Sequence, residues 1–89
     1  MTLTAERLAD TLDDFTREAS RIAEQAHENG FSKLDPSEWP EWARKELEHL
    51  EARMAAYDTD VPTDLKAAAG RIHDRRLAAD ALADAMGVR

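Results

Sequence analysis

The chain has 89 residues, carries a net charge of −7 and contains no cysteine. A chain of this length buries only a small core, and neither disulfides nor thiolate-bound metals can stabilise it. Three Gly and three Pro are few for the turns of an all-β protein, and no apolar run approaches the ~18 residues of a membrane span. The opening residues lack the pattern of a signal peptide. We therefore expect one all-α domain over residues 1–89, located in the cytoplasm.

Charge is distributed unevenly along the chain. Residues 1–30 carry seven acidic and three basic side chains, and residues 31–60 carry eight and four. Residues 61–89 carry four and five, so the last third is the only basic segment. An acidic surface repels nucleic acid and anionic membranes, because binding to both depends on neutralising phosphate. We therefore expect neither as a partner.

The first predicted helix covers residues 5–28. Thr4 is suited to cap its N-terminus, and Asn29-Gly30 to end it in the left-handed conformation. We expect an ion pair between Asp13 and Arg17, one turn apart. Apolar residues recur at alternating spacings of four and three, the pattern of a helix that packs along one narrow seam. The seam residues are Met1, Ala5, Leu8, Leu12, Phe15, Ala19, Ile22 and Ala26.

The second predicted helix covers residues 38–57. Ser37 is the preferred cap, because it places Pro40 in the first turn, where its missing N–H has no consequence. Asp35 is the alternative cap, but it would place Pro40 at a position whose N–H is needed. The seam again has alternating spacing and consists of Ala43, Leu47, Leu50, Met54 and Tyr57.

The third predicted helix covers residues 61–86. Asp60 or Thr63 is the expected cap, and Gly87 is the expected C-terminal stop. Gly70 lies within this helix and indicates either a kink or close backbone packing. Connectors of this length between three helices predict an antiparallel three-helix bundle. The narrow seams equally fit a helical hairpin with an added C-terminal helix.

Beyond Arg76 the third helix is apolar on more of its circumference than a monomer of this size can cover. An uncovered surface of this kind usually marks an interface. We therefore expect a homodimer or higher oligomer with Leu77, Leu82 and Met86 as the main contact residues.

Two Glu-x-x-His motifs are the sharpest constellation of possible metal ligands. They are Glu24–His27 and Glu46–His49, and such pairs on facing helices can hold a di-iron or di-manganese centre. Relative to the seams, however, Glu24 and His49 point away from the core. We expect solvated helix faces and no cofactor, and keep a metal site at a subunit interface as an alternative.

The basic segment and one tryptophan are further candidate binding residues. Arg71, Arg75 and Arg76 could meet phosphates or an acidic partner, although internal neutralisation of the acidic helices is favoured. DNA binding through these arginines is a second alternative, weakened by an acidic linker that is long for a helix-turn-helix. Trp42 lies beside the seam and is either a plug for one end of the fold or a binding residue.

No enzymatic chemistry is indicated by the sequence. The three serines lack a glycine-flanked turn, and the three glycines, at 30, 70 and 87, form no phosphate loop. We expect a small acidic helical module for protein–protein interaction, acting as an adaptor, regulator or inhibitor. Its length and acidity are common among small phage and bacterial regulators. One form of such an inhibitor presents carboxylates to a nucleic-acid-binding protein in place of phosphates.

Overall fold

The computed structural model describes residues 3–87, which form three α-helices and one short 3-10 turn. Helix α1 covers Ala5–Glu28, α2 covers Glu41–Asp60 and α3 covers Thr63–Met86, with the turn at Pro36–Glu38. No strand occurs in this part of the chain, so the all-α prediction is confirmed. Met1, the first predicted seam residue, lies outside the described residues. No helix within residues 3–87 combines the length and apolar character needed to cross a membrane.

The chain forms two compact units, which divide α1 between them. The α1–α3 unit consists of the residues up to Asp13 together with those from Val61 onward, and the α1–α2 unit consists of Asp14–Asp60. Each unit is described separately below.

Both ends of α1 follow from local chemistry. The Thr4 hydroxyl accepts a hydrogen bond from the Arg7 amide at 3.2 Å, which satisfies one of the free donors of the first turn. Gly30 has φ +81°, in the left-handed region that suits glycine, and its amide donates to the His27 carbonyl. The observed bounds of α1 are the predicted ones.

In the α1–α2 unit, α2 runs antiparallel to the second half of α1. Phe15 meets Tyr57 edge-on at 5.9 Å between ring centroids, and Arg21 lies 3.4 Å from Glu46. The core of this unit is thin: its buried residues are Ile22, Ala26, Phe31, Ala43 and Leu50. Two predicted seam residues, Ala19 and Met54, are exposed.

The start of α2 differs from the prediction. Asp35, rather than Ser37, is the capping residue: it caps the 3-10 turn by accepting from the Ser37 amide at 3.0 Å and the Ser37 hydroxyl at 2.8 Å. These hydrogen bonds lower the pKa of Asp35. Helix α2 begins three residues later than predicted, at Glu41, directly after Pro40, and ends three residues later, at Asp60. Ser37 lies inside the 3-10 turn, before the start of α2 at Glu41, and its hydroxyl donates to Asp35. It therefore does not cap α2.

In the α1–α3 unit, Leu8, Ala9 and Ala69 are buried. Helix α3 begins at Thr63, two residues later than predicted, with Pro62 at the N-cap position and no capping bond from a side chain. Neither predicted cap, Asp60 nor Thr63, is therefore used. At the other end, Gly87 has φ +68° and its amide donates to Asp84 and Ala83, which confirms the predicted stop.

Candidate interaction surface

The orientation of α3 in its unit is fixed by a charged cluster. Arg76 Nη1 lies 2.7 Å from Asp10 Oδ1 and 2.7 Å from Asp13 Oδ2. His73 Nδ1 lies 2.5 Å from Asp13 Oδ1. Asp13 meets both His73 and Arg76, whereas Asp10, which comes earlier in α1, meets Arg76, which comes later in α3. Helix α3 therefore runs antiparallel to the start of α1. The cluster assigns one face of α3, which also carries the buried Ala69, to contacts within the chain.

Beyond the charged cluster, the C-terminal end of α3 is uncovered. Leu77 is 43% exposed, Leu82 61% and Met86 67%. Counting ~100° per residue, the apolar residues from 77 to 86 cover about 240° of the circumference, and Asp80 and Asp84 occupy the remainder. The structure thus leaves exposed the apolar side chains that the sequence predicted to be interface residues.

A single continuous face joins part of this apolar end to the basic segment. Positions 71, 75, 78, 82 and 86 follow one another at three- and four-residue steps, which places them on one side of a helix. All five are exposed. We call this set the α3 stripe; its members are Arg71, Arg75, Ala78, Leu82 and Met86. It lies away from the face that contacts α1, and Leu77 lies outside it.

The three arginines of the basic segment have different surroundings. Arg76 is held by Asp10 and Asp13, as the internal-neutralisation interpretation expects of it. Those hydrogen bonds raise the pKa of Arg76. Arg71 and Arg75 are exposed on the α3 stripe. Only these two therefore present their guanidinium groups outward.

A groove runs along an exposed face of α2. It has a volume of about 300 Å³ and is lined by residues of the 3-10 turn and by residues of α2, two of which are acidic. Leu47, half-buried, is the apolar residue that α2 contributes to the lining. We call it the α2 groove; its lining residues are Pro36, Ser37, Arg44, Leu47, Glu48 and Glu51.

The two Glu-x-x-His motifs are not gathered into one site within the chain. Glu24, His27 and His49 are exposed, and Glu46 is half-buried beside Arg21. Glu46 and His49 line a second groove with Glu18, Arg21 and Lys45. Within residues 3–87, no three histidine or carboxylate side chains lie close enough together to hold a metal ion. A metal site between subunits stays a hypothesis that the described contacts do not favour.

Trp42 lies at an aromatic cluster in the α1–α2 unit. Its ring meets buried Phe31 edge-on at 5.8 Å, and it is 47% exposed. Trp39 lies closer to Phe31, at 5.3 Å, and its Nε1–H donates to the Leu34 carbonyl at 3.1 Å. Trp39 therefore plugs this end of the unit, and Trp42 covers Phe31 with one edge while its other side faces solvent.

Sequence reasoning missed the partner of Asp13. The predicted ion pair with Arg17 is wrong: Arg17 pairs with Asp14, while Asp13 contacts His73 and Arg76. One signal in the sequence points to these contacts. His73 and Arg76 occupy positions that continue the apolar seam of α3, where a His or an Arg needs an acidic partner. The α2 groove was also missed, because its acidic residues resemble any solvated helix face.

Comparison with known proteins gives no further guidance: no protein-family model matches the chain, and neither a curated protein nor a solved structure is significantly similar to it.

Proposed function

We propose that this chain is a non-enzymatic, acidic helical module for protein–protein interaction, which self-associates through the C-terminal end of α3. It would act as an adaptor, regulator or inhibitor. The observation that carries the proposal is the exposure of Leu82 and Met86, at 61% and 67%, on a helix whose opposite face is already occupied by contacts with α1. Burying such side chains contributes about 1.5–3 kcal/mol each.

The charge of the chain supports a protein as the further partner. The net charge is −7, and the two exposed arginines of α3 are too few to counter phosphate repulsion along a nucleic acid. The acidic surfaces of α1 and α2 suit a basic protein surface, and such an encounter is accelerated by electrostatic attraction at low salt. An inhibitor of a nucleic-acid-binding protein is one specific form of this function.

The state of association tests the proposal directly. Light scattering across a concentration series from below 1 μM to above 100 μM should show a species larger than the 10.0 kDa monomer in the micromolar range. Leu82→Glu should shift the chain to monomer, because a carboxylate would have to be desolvated at the contact.

Ala23→Glu is the matched control for this experiment. Ala23 is also exposed, but it lies on α1 in the α1–α2 unit, outside α3. This variant should associate as the unmodified chain does, and circular dichroism should show both variants equally helical. A monomer at every concentration of the unmodified chain would overturn the proposal.

A further inference from the structure

We propose that the α3 stripe of one copy docks antiparallel in the α2 groove of a second copy. This inference rests on the proposed self-association and names the surface that receives α3. It is carried by the complementarity of two faces: the stripe combines two arginines with two large apolar residues, and the groove combines two glutamates with Leu47 and Pro36.

Charge explains why the receiving surface is α2 rather than another α3. Arg71 and Arg75 lie on the stripe, while Asp80 and Asp84 lie on the opposite side of the same helix, about 180° away at ~100° per residue. Asp74 is exposed at the flank of the stripe, about 80° from its centre at ~100° per residue. Two copies of α3 packed stripe to stripe would therefore bring four arginines together with no carboxylate on the stripe itself. The groove supplies two exposed carboxylates, from Glu48 and Glu51.

The spacing of the charges fits simultaneous pairing. Arg71 and Arg75 are four residues apart, and Glu48 and Glu51 are three apart, so each pair spans about one helical turn. In an antiparallel register that places Arg71 beside Glu51, Arg75 falls beside Glu48. Both guanidinium groups then have the planar carboxylate partners that arginine binds best.

The same register matches the remaining positions. Ala78 falls beside Arg44, the one cation that lines the groove, and its small side chain leaves room for the arginine stem. Leu82 and Met86 then lie beside Pro36 and Ser37, the groove residues of the 3-10 turn. The stripe from Arg71 to Met86 spans about 22 Å of helix axis. An apolar contact thus forms at one end of the interface and a charged contact at the other.

A charge exchange between copies tests the arrangement. In the first variant, Arg71→Glu is combined with Arg75→Glu. In the second, Glu48→Lys is combined with Glu51→Lys. Each variant alone places like charges in the contact and should self-associate at least about 100-fold more weakly than the unmodified chain. In an equimolar mixture, the stripe of either variant is opposite in charge to the groove of the other. The mixture should therefore form a heterodimer, seen by light scattering or by exchange of a fluorescent label.

Two control variants carry equal changes of charge elsewhere. Arg17→Glu with Lys33→Glu matches the first variant, and Glu24→Lys with Glu28→Lys matches the second; all four residues are exposed. Both controls should self-associate as the unmodified chain does. High salt should weaken the mixed heterodimer, because screening reduces the attraction between partly exposed charges.

The outcomes separate this inference from the proposed function. A mixture of the two variants that stays monomeric overturns the inference. So does continued self-association of both variants while Leu82→Glu is monomeric, which would leave the proposed function standing with α3 packed on another surface. A monomeric unmodified chain overturns both.

Discussion

Asp13 and Arg76 are 63 residues apart in sequence, and their side chains meet at 2.7 Å between Oδ2 and Nη1. The other oxygen of Asp13 lies 2.5 Å from Nδ1 of His73. Burial raises the pKa of Asp13, but hydrogen bonds from His73 and Arg76, with the charge of Arg76, outweigh it and hold the pKa below the ordinary 3.8. The folded state therefore favours the ionised carboxylate.

A pH dependence of stability follows from this lowered pKa. A carboxylate whose pKa is lower in the folded state stabilises the fold above its unfolded pKa, and the stabilisation is lost as the pH falls through the folded pKa. Asp13→Asn should lower the melting temperature at pH 7, and the difference should shrink as the pH falls below about 4. Asp14→Asn is the control, because Asp14 is exposed and its ion pair with Arg17 lies within its own helix. Equal pH profiles of the two variants would contradict the assignment.

The thin core makes α2 sensitive to a single truncation. Leu50 is 3% exposed, so Leu50→Ala should destabilise by about 2–5 kcal/mol through lost burial and a residual cavity. Met54 is 47% exposed one turn later, and Met54→Ala should cost about 0.5 kcal/mol or less. Leu12→Ala should fall between them, because Leu12 is half-buried. Urea denaturation measures all three, and a Met54→Ala cost equal to that of Leu50→Ala would show that Met54 is packed in the core, against the exposure seen in the structure.

Gly70 offers a stabilising substitution. It lies inside α3, and an added Cβ would meet nothing within 4 Å, so close backbone packing does not explain it. Gly70→Ala should stabilise by about 1 kcal/mol, because alanine loses less backbone entropy in a helix. Gly30→Ala is the matched control: its surroundings are equally open, but its φ of +81° disfavours any Cβ. The two variants should shift the melting temperature in opposite directions, and a loss of stability in both would reject this account of Gly70.

The sequence predicted a helix end correctly where a single capping residue determines it. Thr4 and Gly87 are used as predicted, because capping geometry involves only neighbouring residues. Met54 shows the limit: its spacing fits the seam, yet it is exposed, because spacing does not say where a neighbouring helix contributes atoms. The seam positions of His73 and Arg76 indicated a need for acidic partners, but which carboxylate meets them depends on how α1 packs on α3, and the sequence did not single out Asp13. For the candidate surface, the apolar pattern beyond Arg76 indicated Leu77, Leu82 and Met86. The sequence did not show that Arg76 is held by α1 while Arg71 and Arg75 are exposed.

The aromatic cluster should be sensitive to one hydrogen bond. The indole N–H of Trp39 donates to the Leu34 carbonyl, and Trp39→Phe keeps an aromatic ring while removing this donor. We expect a loss of about 0.5–1.5 kcal/mol. Trp42→Phe should cost less, because Trp42 is 47% exposed and makes its contact with Phe31 through one ring edge. Equal losses from the two substitutions would argue against the plugging role of Trp39.

The C-terminal end of α3 should show protection that depends on concentration. Between positions 77 and 86 Ala83 is half-buried and the other side chains are exposed. In the monomer this end therefore has few tertiary contacts to slow its opening. Association would bury Leu82 and Met86 and raise the free energy of local opening by mass action. Hydrogen exchange measured by mass spectrometry should therefore slow between residues 77 and 86 as the total protein concentration rises from about 1 to about 100 times the dissociation constant. For a dimer the slowing is up to about sevenfold, because the monomer fraction falls from roughly 0.5 to roughly 0.07 over that range. Peptides from the first half of α1 serve as the internal reference and should change less. Protection of residues 77–86 that does not change with concentration would mean that this surface is covered by something other than a second copy.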